Sequence, residues 1–576
     1  MLTTAIFPPS AALALGLLLL QPLTSAATLP LHERAPSNDA TAAVNTTTCN
    51  GNTYTYRALA GYGSVSGSAR DKFGDTLGGL GSSIAIEHGS WKRETNDNDG
   101  TELYTGILWA LPDRGWNTNG TLNYNPRVHK LGISFSPVTA AAADGGSGSD
   151  SVSSPPNLHL EYLDTVLFSD PAGTPVTGLD PDFAEVPIEF PGFPAMPVAT
   201  YEGDGFGGEG PGGRRVAVDS EGLVLGPDGE FWVSDEYGPF VYRFSREGRM
   251  LAAIRPPEAY VPRRNGNVSF SAASAPLYDP DRVPVPEDPT SGRANNQGFE
   301  GLTVSPDGST LSVLLQSALM QDGGQGGKQT RRHARLLQYD ITALSSSSSS
   351  SPSFPHSSSP PHYSSSSTNT SSNPLPKAEF VVPLPTFPNA DGKTRVAAQS
   401  ELLALSATQF LVLARDSNAG RAAESTESLY RHVDVFDVSA ATDVFGDDDS
   451  VSGSVAGAED GVLDDGIAPA EYCAWLDFNV GEELARFGLH NGGVDDEGLL
   501  NEKWESLAVV PVLGEGGEEV EGEWWVVSLS DDDFITQDGY MDGGDFLYSD
   551  GSGASLDNQA LVFRVGLEKG LRPAGW

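Results

Sequence analysis

Residues 221–236 read EGLVLGPDGEFWVSDE, two short apolar strands joined by a Pro-Asp-Gly turn. Pro presets the first dihedral angle of such a turn, Asp forms local hydrogen bonds, and Gly accepts a positive φ. Two further apolar strands follow, so the sequence predicts an antiparallel meander with strands at 221–226, 230–235, 240–245 and 249–254. Four antiparallel strands per repeat are typical of a β-propeller blade.

This unit recurs, with a glutamate that opens one apolar strand before a second strand ends in polar or acidic residues. It restarts at Glu300, Glu401 and Glu505, and a divergent first unit over 80–115 lacks the opening glutamate. Such repeats indicate a radial array, because one unit cannot bury its apolar face alone. We predict an all-β fold, a β-propeller of about six four-stranded blades. A β-sandwich is the alternative, but its strands would not restart with one motif.

Composition shifts divide the chain into segments. We expect a signal peptide over 1–26, where a short apolar core precedes small residues, and a flexible segment over 27–52. One propeller domain then covers 53–570. Long low-complexity insertions, disordered or forming surface loops, interrupt it near 140–156, 345–373 and 443–465. The remaining β-rich blocks lie near 53–138, 158–200, 214–262, 296–342, 376–440 and 468–570.

The net charge of the chain narrows the classes of molecule that it is expected to bind. The chain of 576 residues carries 34 basic and 77 acidic residues, a formal net charge of −43. Nucleic acid and anionic membranes are therefore unfavourable partners. The apolar run near the N-terminus is short for a bilayer span, and no later segment qualifies. We expect a secreted, extracellular monomer that binds a small anionic molecule.

The secretory route bears on glycans and cysteines. Sequons for N-glycosylation stand at Asn45, Asn119, Asn267 and Asn369. They predict a glycoprotein. The two cysteines, Cys49 and Cys473, fit either one disulfide in an oxidising compartment or two buried thiols. The sequence leaves both possibilities open.

Carboxylates at equivalent places in each unit would gather at one end of the channel. The opening glutamates would face the axis, and aspartates one strand later would lie nearer the rim. Gathered carboxylates raise one another's pKa unless a cation offsets them, and Ca²⁺ takes many oxygen ligands. We predict a Ca²⁺ site with the ligands Glu221, Glu300, Glu401, Glu505, Asp113, Asp235, Asp416 and Asp531. The alternative is that each glutamate accepts backbone N–H bonds from the neighbouring blade.

Other motifs add one further cation candidate and exclude several enzyme classes. The second candidate is the acidic stretch Asp531-Asp532-Asp533 with Asp538, Asp542 and Asp545. No Gly-x-Ser-x-Gly, His-Glu-x-x-His or Arg-His-Gly run occurs, which argues against α/β-hydrolases, zinc hydrolases and histidine acid phosphatases. Arginines near the motifs could bind an anionic substrate or pair with neighbouring acids: Arg114, Arg243, Arg415 and Arg421.

Several motifs resemble the phytase-like family, whose name refers to an esterase-like activity of phytase. They are Asp113-Arg114-Gly115, Glu221-Gly222-Leu223, Ser234-Asp235-Glu236-Tyr237-Gly238-Pro239, Phe299-Glu300-Gly301-Leu302 and Ser530-Asp531-Asp532-Asp533-Phe534. The resemblance covers roughly 55–565, and Asp532 stands where the family usually has Asn. It implies a secreted β-propeller that hydrolyses phosphoesters. The Glu-Gly-Leu unit is also similar to the Glu-Gly-Pro of gluconolactonase-like propellers, where the glutamate binds a divalent metal.

Together these observations predict a secreted, Ca²⁺-dependent phosphoester hydrolase acting on phytate or another organic phosphate. The expected catalytic residues are Glu221, Glu300, Asp235 and Arg114. Without a bound cation, a chain of this charge would repel a polyanionic substrate. A non-enzymatic, calcium-stabilised extracellular binding module and a metal-dependent lactonase are the alternatives.

Overall fold

The computed structural model describes residues 43–95, 100–138, 153–183, 188–342, 374, 376–446 and 450–576. The predicted signal peptide over 1–26 and the insertion over 345–373 lie outside these residues. Within them the complete helical elements are short: Gly481–Ala485 and the 3-10 turns Met320–Asp322 and Gly324–Gly326. No helix in this part of the chain has the length and apolar character that crossing a membrane requires.

The strands form five antiparallel sheets that repeat along the chain, each a propeller blade. Blade 1 contains Ser83–Ile86, Glu102–Leu111, Arg127–Phe135 and Leu158–Leu167, with Lys92–Thr95 beside the second strand. Blade 2 contains Ser220–Leu225, Phe231–Asp235, Val241–Phe244 and Met250–Ile254. Blade 3 contains Phe299–Val304, Thr310–Leu315, His333–Asp340 and Pro376–Pro383. Blade 4 contains Ala398–Ala404, Gln409–Arg415, Arg431–Asp437 and Glu471–Asp477.

Blade 5 combines strands from distant parts of the chain. From the axis outward it contains Ala508–Leu513, Glu519–Asp531, Asn558–Gly566, Asn52–Val65 and Asn45–Cys49, and Lys503–Trp504 pairs with the end of its second strand. Residues 45–49 therefore form a strand, which corrects the expectation of a flexible segment up to residue 52. Small hairpins lie outside the blades: Val198–Tyr201 with Gly213–Val216, Arg263–Arg264 with Asn267–Val268, Thr386–Pro388 with Thr394–Val396, and Gly539–Met541 with Phe546–Tyr548.

The β-propeller prediction is confirmed, with five blades in place of about six. The strands predicted for blade 2 agree with the observed bounds to within one residue. The difference in number arises because the block 158–200 is not a separate unit, since Leu158–Leu167 is the fourth strand of blade 1. In blades 3 and 4 the fourth strand likewise follows a long insertion, so linear blocks and blades do not coincide.

Apolar cores fill the five gaps between neighbouring blades and close the ring. Each gap is represented by one residue from either side: Val128 and Phe231, Val241 and Leu337, Leu336 and Phe410, Leu413 and Phe563, and Val562 and Leu108. The innermost strands line the axis, and all begin at the same face. Residues that precede or open these strands are therefore brought together there.

A β-bulge recurs where the innermost strands begin. In blades 2 and 3 the pairing with the second strand skips Glu221-Gly222 and Glu300-Gly301. A bulge releases side chains from the ladder and re-aims them. The glycines also allow the neighbouring innermost strands to approach, since a Cβ on Gly222 would stand 2.6 Å from the carbonyl oxygen of Glu300. The Glu-Gly motif thus directs the glutamates toward the channel mouth.

A disulfide joins the N-terminal strand of blade 5 to blade 4. Cys49 on the outermost strand of blade 5 is bonded to Cys473 on the outermost strand of blade 4, 424 residues away. Of the two possibilities that the sequence left open, the structure has the disulfide. The described part of the acidic insertion over 443–465 is a loop whose Val444 and Val455 are buried against Val381 of blade 3.

The sequons within the described residues differ in their surroundings. Asn45, Asn119 and Asn267 are all exposed, and the Asn45 side chain in addition donates a hydrogen bond to the carbonyl oxygen of Trp475. Asn369 lies outside the described residues. Glycosylation at these positions stays a prediction.

Replacing both cysteines by alanine is expected to lower the free energy of unfolding by about 2–4 kcal/mol, because a cross-link spanning so much of the chain restricts the unfolded state. Urea denaturation measures the loss, and reductant added to the unsubstituted protein should reproduce it. Reductant should have no further effect on the double variant. An unchanged midpoint in both cases would contradict this role of the disulfide.

Gly222→Ala is expected to destabilise the protein by about 1–3 kcal/mol, because the added methyl group meets the backbone of blade 3. Thermal or urea denaturation measures the change. Gly481→Ala is the matched control, since no atom outside its own helix lies within 4 Å of its added Cβ and its φ is negative. Equal stability of the two variants would show that the close approach at Gly222 is not a packing constraint.

Candidate active site

Three of the four repeated glutamates lie at the channel mouth. Glu221, Glu300 and Glu505 come from blade 2, blade 3 and the segment entering blade 5, and they are 9%, 2% and 3% exposed. The Glu300 carboxylate interacts electrostatically with both of the others. The predicted convergence therefore holds for these three side chains.

The first cluster of carboxylates, called the open cluster below, lies on blade 2 and its border with blade 3. One oxygen each of Asp219, Glu221 and Glu236 lies within 4.8 Å of the other two. Glu300 interacts with this group, and its Oε1 accepts a hydrogen bond of 3.1 Å from the Gln316 amide. Four carboxylates are thus brought together in a nearly dry environment.

Several oxygens of the open cluster have no hydrogen-bond donor among the described residues. These are Asp219 Oδ1, Glu236 Oε1 and Glu300 Oε2, all buried. A buried charged oxygen without a partner is strongly unfavourable. A hard divalent cation would satisfy these atoms, because Ca²⁺ prefers carboxylate oxygens. The donor set of the open cluster therefore fits the predicted metal.

A second cluster, called the lysine cluster below, lies between blades 1 and 5. Single oxygens of Asp113, Asp531 and Asp533 again lie within 4.8 Å of one another. The Lys503 ammonium nitrogen is 2.7 Å from Asp533 Oδ1, 3.7 Å from Asp531 Oδ2 and 3.9 Å from Asp113 Oδ2. It also lies 3.4 Å from Glu505 Oε2. In this cluster a side-chain cation already stands among the carboxylates.

Two arginines complete the charge pattern. Arg114 Nη1 donates to Asp219 Oδ2 at 2.9 Å, and its guanidinium lies 5.8 Å from the centre of the Tyr237 ring. Arg415 pairs with Glu505 Oε1. Both arginines are held by acids, so the sequence-based alternative of pairing with neighbours describes them. Arg243 pairs with Glu230, away from both clusters.

Burial raises the pKa of these carboxyl groups, and neighbouring carboxylates raise it further. The pKa of Asp113 is raised to about 7, and those of Glu236 and Asp531 to about 8. Burial together with the nearby carboxylates raises the pKa of Glu221 and Glu300 well above the ordinary range. At neutral pH the clusters therefore favour either protons or a bound cation.

Asp235, predicted as a ligand and catalytic residue, instead fixes the backbone that carries two members of the open cluster. Its carboxylate accepts N–H hydrogen bonds from Asp219 at 2.9 Å, Tyr237 at 3.3 Å and Gly238 at 2.7 Å. These bonds fix the backbone at Asp219 and at the two residues that follow Glu236. The structure thus gives Asp235 a positioning role.

Two other predicted ligands lie away from both clusters. Glu401 accepts hydrogen bonds from the Ser83 hydroxyl and the backbone N–H of Leu402, which stands where blades 2 and 3 have glycine. Asp416 accepts from the Ser428 hydroxyl at 2.7 Å and the Leu429 N–H at 2.6 Å. The alternative of a backbone hydrogen bond from the neighbouring blade describes Glu401, whose Oε1 also accepts from the Leu302 N–H of blade 3 at 3.4 Å.

The acidic stretch near the end of the chain is divided by the fold. Asp533 joins the lysine cluster, whereas Asp532 accepts N–H hydrogen bonds from Gly79 and Phe534 and packs against Asn558. Asp542 interacts electrostatically with Asp545, Asp204 and Asp75 rather than with either cluster. Asp538 forms a long ion pair elsewhere, with its Oδ1 3.9 Å from Arg70 Nη2.

A cavity of about 720 Å³ lies at the other end of the channel, where the innermost strands end. Its wall includes Leu225, Val304 and Trp576, and Glu401 also reaches it. None of the carboxylates of the open cluster or the lysine cluster lines it. The cavity and the carboxylate clusters are therefore separate features of the channel.

Three members of the clusters were not predicted as site residues: Asp219, Glu236 and Lys503. Asp219 and Lys503 each stand two residues before a motif glutamate, and Glu236 follows Asp235 within the most specific motif. Their spacing alone could have identified Asp219 and Lys503 as candidates, because residues just before an innermost strand lie at the channel mouth. Nothing in the sequence indicated that Lys503 would be surrounded by acids.

Comparison with known proteins agrees with the fold and the motifs. A protein of Arthroderma benhamiae named "Uncharacterized secreted protein" is 54% identical over 505 residues, covering 86% of this chain and 90% of that protein. This protein is accordingly extracellular. A family model described as "Phytase-like: Esterase-like activity of phytase" matches residues 102–534, a range that includes both clusters. Since the match extends over well more than half of the sequence, the chain belongs to the phytase-like family.

Proposed function

We propose that this protein is a secreted, Ca²⁺-dependent phosphoester hydrolase that acts on phytate or another organic phosphate. The observation that carries the proposal is the open cluster. Its Glu221, Glu236 and Glu300 form no ion pair with any described lysine, arginine or histidine. Three buried carboxylates without an ion-pair partner are costly, and a divalent cation would offset them.

In this proposal Asp219, Glu221 and Glu236 hold the cation, which would neutralise substrate phosphate and lower the pKa of an attacking water. Glu300 would accept the proton of an attacking water. Its Oε2 has no hydrogen-bond partner, and burial together with neighbouring carboxylates raises the pKa of this group, which strengthens it as a proton acceptor. Arg114 holds Asp219 in place through their ion pair. Asp235 fixes the backbone at Asp219 and just after Glu236 through the N–H hydrogen bonds that it accepts.

The net charge supports a cation requirement. A formal charge of −43 opposes the approach of a polyanion. A bound cation at the channel mouth would offset much of this negative charge where a phosphate group approaches. Lys503, with 20% of its side chain exposed, adds positive charge beside it.

A non-enzymatic, calcium-stabilised binding module is the second candidate. It is favoured by the burial of the open cluster, since Asp219 and Glu236 are each only 1% exposed. A cation there could serve the fold alone. Both candidates predict that calcium stabilises the protein. Only the hydrolase predicts turnover of an ester, so turnover distinguishes them.

We expect phosphate release from phytate or a simple phosphomonoester to be lost in EDTA and restored by Ca²⁺. Glu221→Gln and Glu300→Gln should each lower kcat/KM by about 100-fold or more, because each removes one charge from the site. Initial rates of phosphate release over a calcium titration measure this. A lactone assayed in parallel tests the lactonase alternative.

Glu247→Gln is the control for that experiment, since Glu247 is exposed and lies in a turn of blade 2 away from the mouth. It should retain full activity. Phosphate release that EDTA does not change would remove the calcium-dependent mechanism. Stabilisation by calcium without turnover of any ester would instead favour the binding module.

In calcium-free buffer the free energy of unfolding should fall as pH rises from about 4 to about 8. Asp113, Asp531 and Glu236 have raised pKa values in the folded protein, at about 7, 8 and 8. The folded state therefore binds more protons than the unfolded state across this window, and deprotonation removes that stabilisation. Urea unfolding at several pH values in EDTA measures the slope.

The control is Glu236→Gln, which removes one of the titrating carboxyl groups and should flatten the slope. Calcium should reduce the slope as well, because the deprotonated cluster binds it. A calcium-free stability that rises across the window, or a slope unaffected by the substitution, would contradict the assignment.

A further inference from the structure

We propose that Lys503 is a built-in cation that takes the place of a second metal ion, so that the channel mouth binds one divalent ion, in the open cluster. The proposal rests on the proposed function only in assuming that the open cluster binds calcium. It assigns different roles to two carboxylate clusters that have the same number of acidic side chains.

The first argument is position. The Lys503 ammonium lies within 4 Å of four carboxylates, those of Asp533, Glu505, Asp531 and Asp113. Since the oxygens of the three aspartates lie within 4.8 Å of one another, the ammonium occupies the place at which a metal ion would sit. A second ion there would face the ammonium at close range, which is strongly unfavourable.

The second argument is charge balance. The lysine cluster has four carboxylates, and two cations pair with them, Lys503 and Arg415. The open cluster also has four, Asp219, Glu221, Glu236 and Glu300, but Arg114 is the single cation within 4 Å among the described residues, and it contacts Asp219. Arg293 interacts electrostatically with Glu236 without such a contact. Direct charge compensation is therefore weaker in the open cluster, and the gain from a divalent ion is larger.

The third argument is hydrogen bonding. In the lysine cluster, Asp531 accepts from the Ser82 hydroxyl and the Asp533 N–H, and Asp113 accepts from the Gly115 N–H. The lysine cluster has one buried oxygen without a hydrogen-bond donor, Glu505 Oε2, and it lies 3.4 Å from the Lys503 ammonium. The open cluster has three such oxygens, on Asp219, Glu236 and Glu300, and the last two residues form no ion pair among the described residues. Buried acceptors without an adjacent cation therefore point to a divalent ion in the open cluster.

The fourth argument is that the fold fixes Lys503 in place. Lys503 pairs with Asp531 in a β-ladder, and Trp504 pairs with Ser530. Trp504 is fully buried, and its indole N–H donates to the Asn501 carbonyl oxygen at 3.1 Å. Backbone pairing and the buried indole therefore anchor the lysine against the strand that carries Asp531.

The test is the number of tightly bound calcium ions per chain, measured by equilibrium dialysis of the full secreted protein at about 0.15 M salt to screen weak surface binding. We expect one ion for the unsubstituted protein and one for Lys503→Arg, which keeps the charge. Lys503→Met removes the ammonium and should bind two. One ion bound by Lys503→Met, or two by the unsubstituted protein, would overturn the proposal.

A second pair of variants keeps the test decisive if Lys503→Met fails to fold. Glu236→Gln removes an open-cluster ligand and should weaken calcium binding by about 10-fold or more. Asp533→Asn removes the carboxylate nearest Lys503 and should change calcium affinity by less than about threefold. Equal losses in these two variants would overturn the proposal, because both clusters would then hold metal.

Phosphoester turnover of the same preparations separates this inference from the proposed function. One ion in the unsubstituted protein and two in Lys503→Met, with no turnover, would leave the metal assignment standing and remove the hydrolase. Calcium-dependent turnover together with equal effects of Glu236→Gln and Asp533→Asn on calcium affinity would support the hydrolase and remove the assignment of Lys503 as a substitute for a second ion.

Discussion

The cost of keeping carboxylates out of water shapes the channel mouth. Eight acidic side chains meet there in two clusters of four, and most are nearly inaccessible to solvent. Such groups persist in a folded protein when a cation, a proton or a set of donors compensates them. The lysine cluster obtains its compensation from the chain itself. The open cluster lacks it, and this asymmetry is the basis for assigning chemistry to one side of the mouth.

Repetition in the sequence was sufficient to predict the architecture. The Pro-Asp-Gly turn and the alternation of apolar strands located blade 2 almost to the residue. The number of blades was overestimated, because insertions separate the outer strands of blades 3 and 4 from their sheets. The chain also returns to its N-terminal strands to complete blade 5, a long-range pairing that local patterns cannot show.

The candidate site could be predicted in part, and the reasons are local. Glu221 and Glu300 were identified from their place in the repeated unit, and a bulge with glycine turns them toward the axis. Glu401 resembles them in sequence, but Leu402 replaces the glycine and the carboxylate is used in hydrogen bonds. Asp235 lies in a conspicuous motif yet serves the backbone of its neighbours. The role of Lys503 depends on three distant segments and was therefore invisible in the sequence.

The order in which blade 5 is built has a consequence for biogenesis. The strand Asn52–Val65 pairs with Asn558–Gly566. A strand made early in synthesis therefore cannot pair until nearly the last residues of the chain have been made. During synthesis the growing chain exposes an unpaired sheet edge, which favours aggregation. The carboxylates of Asp113 and Asp531 approach each other at the neighbouring border, between blade 1 and blade 5. The lysine cluster, which brings Asp113 of blade 1 beside Lys503 and Asp531 of blade 5, therefore assembles only after nearly the whole chain has been made and the ring has closed.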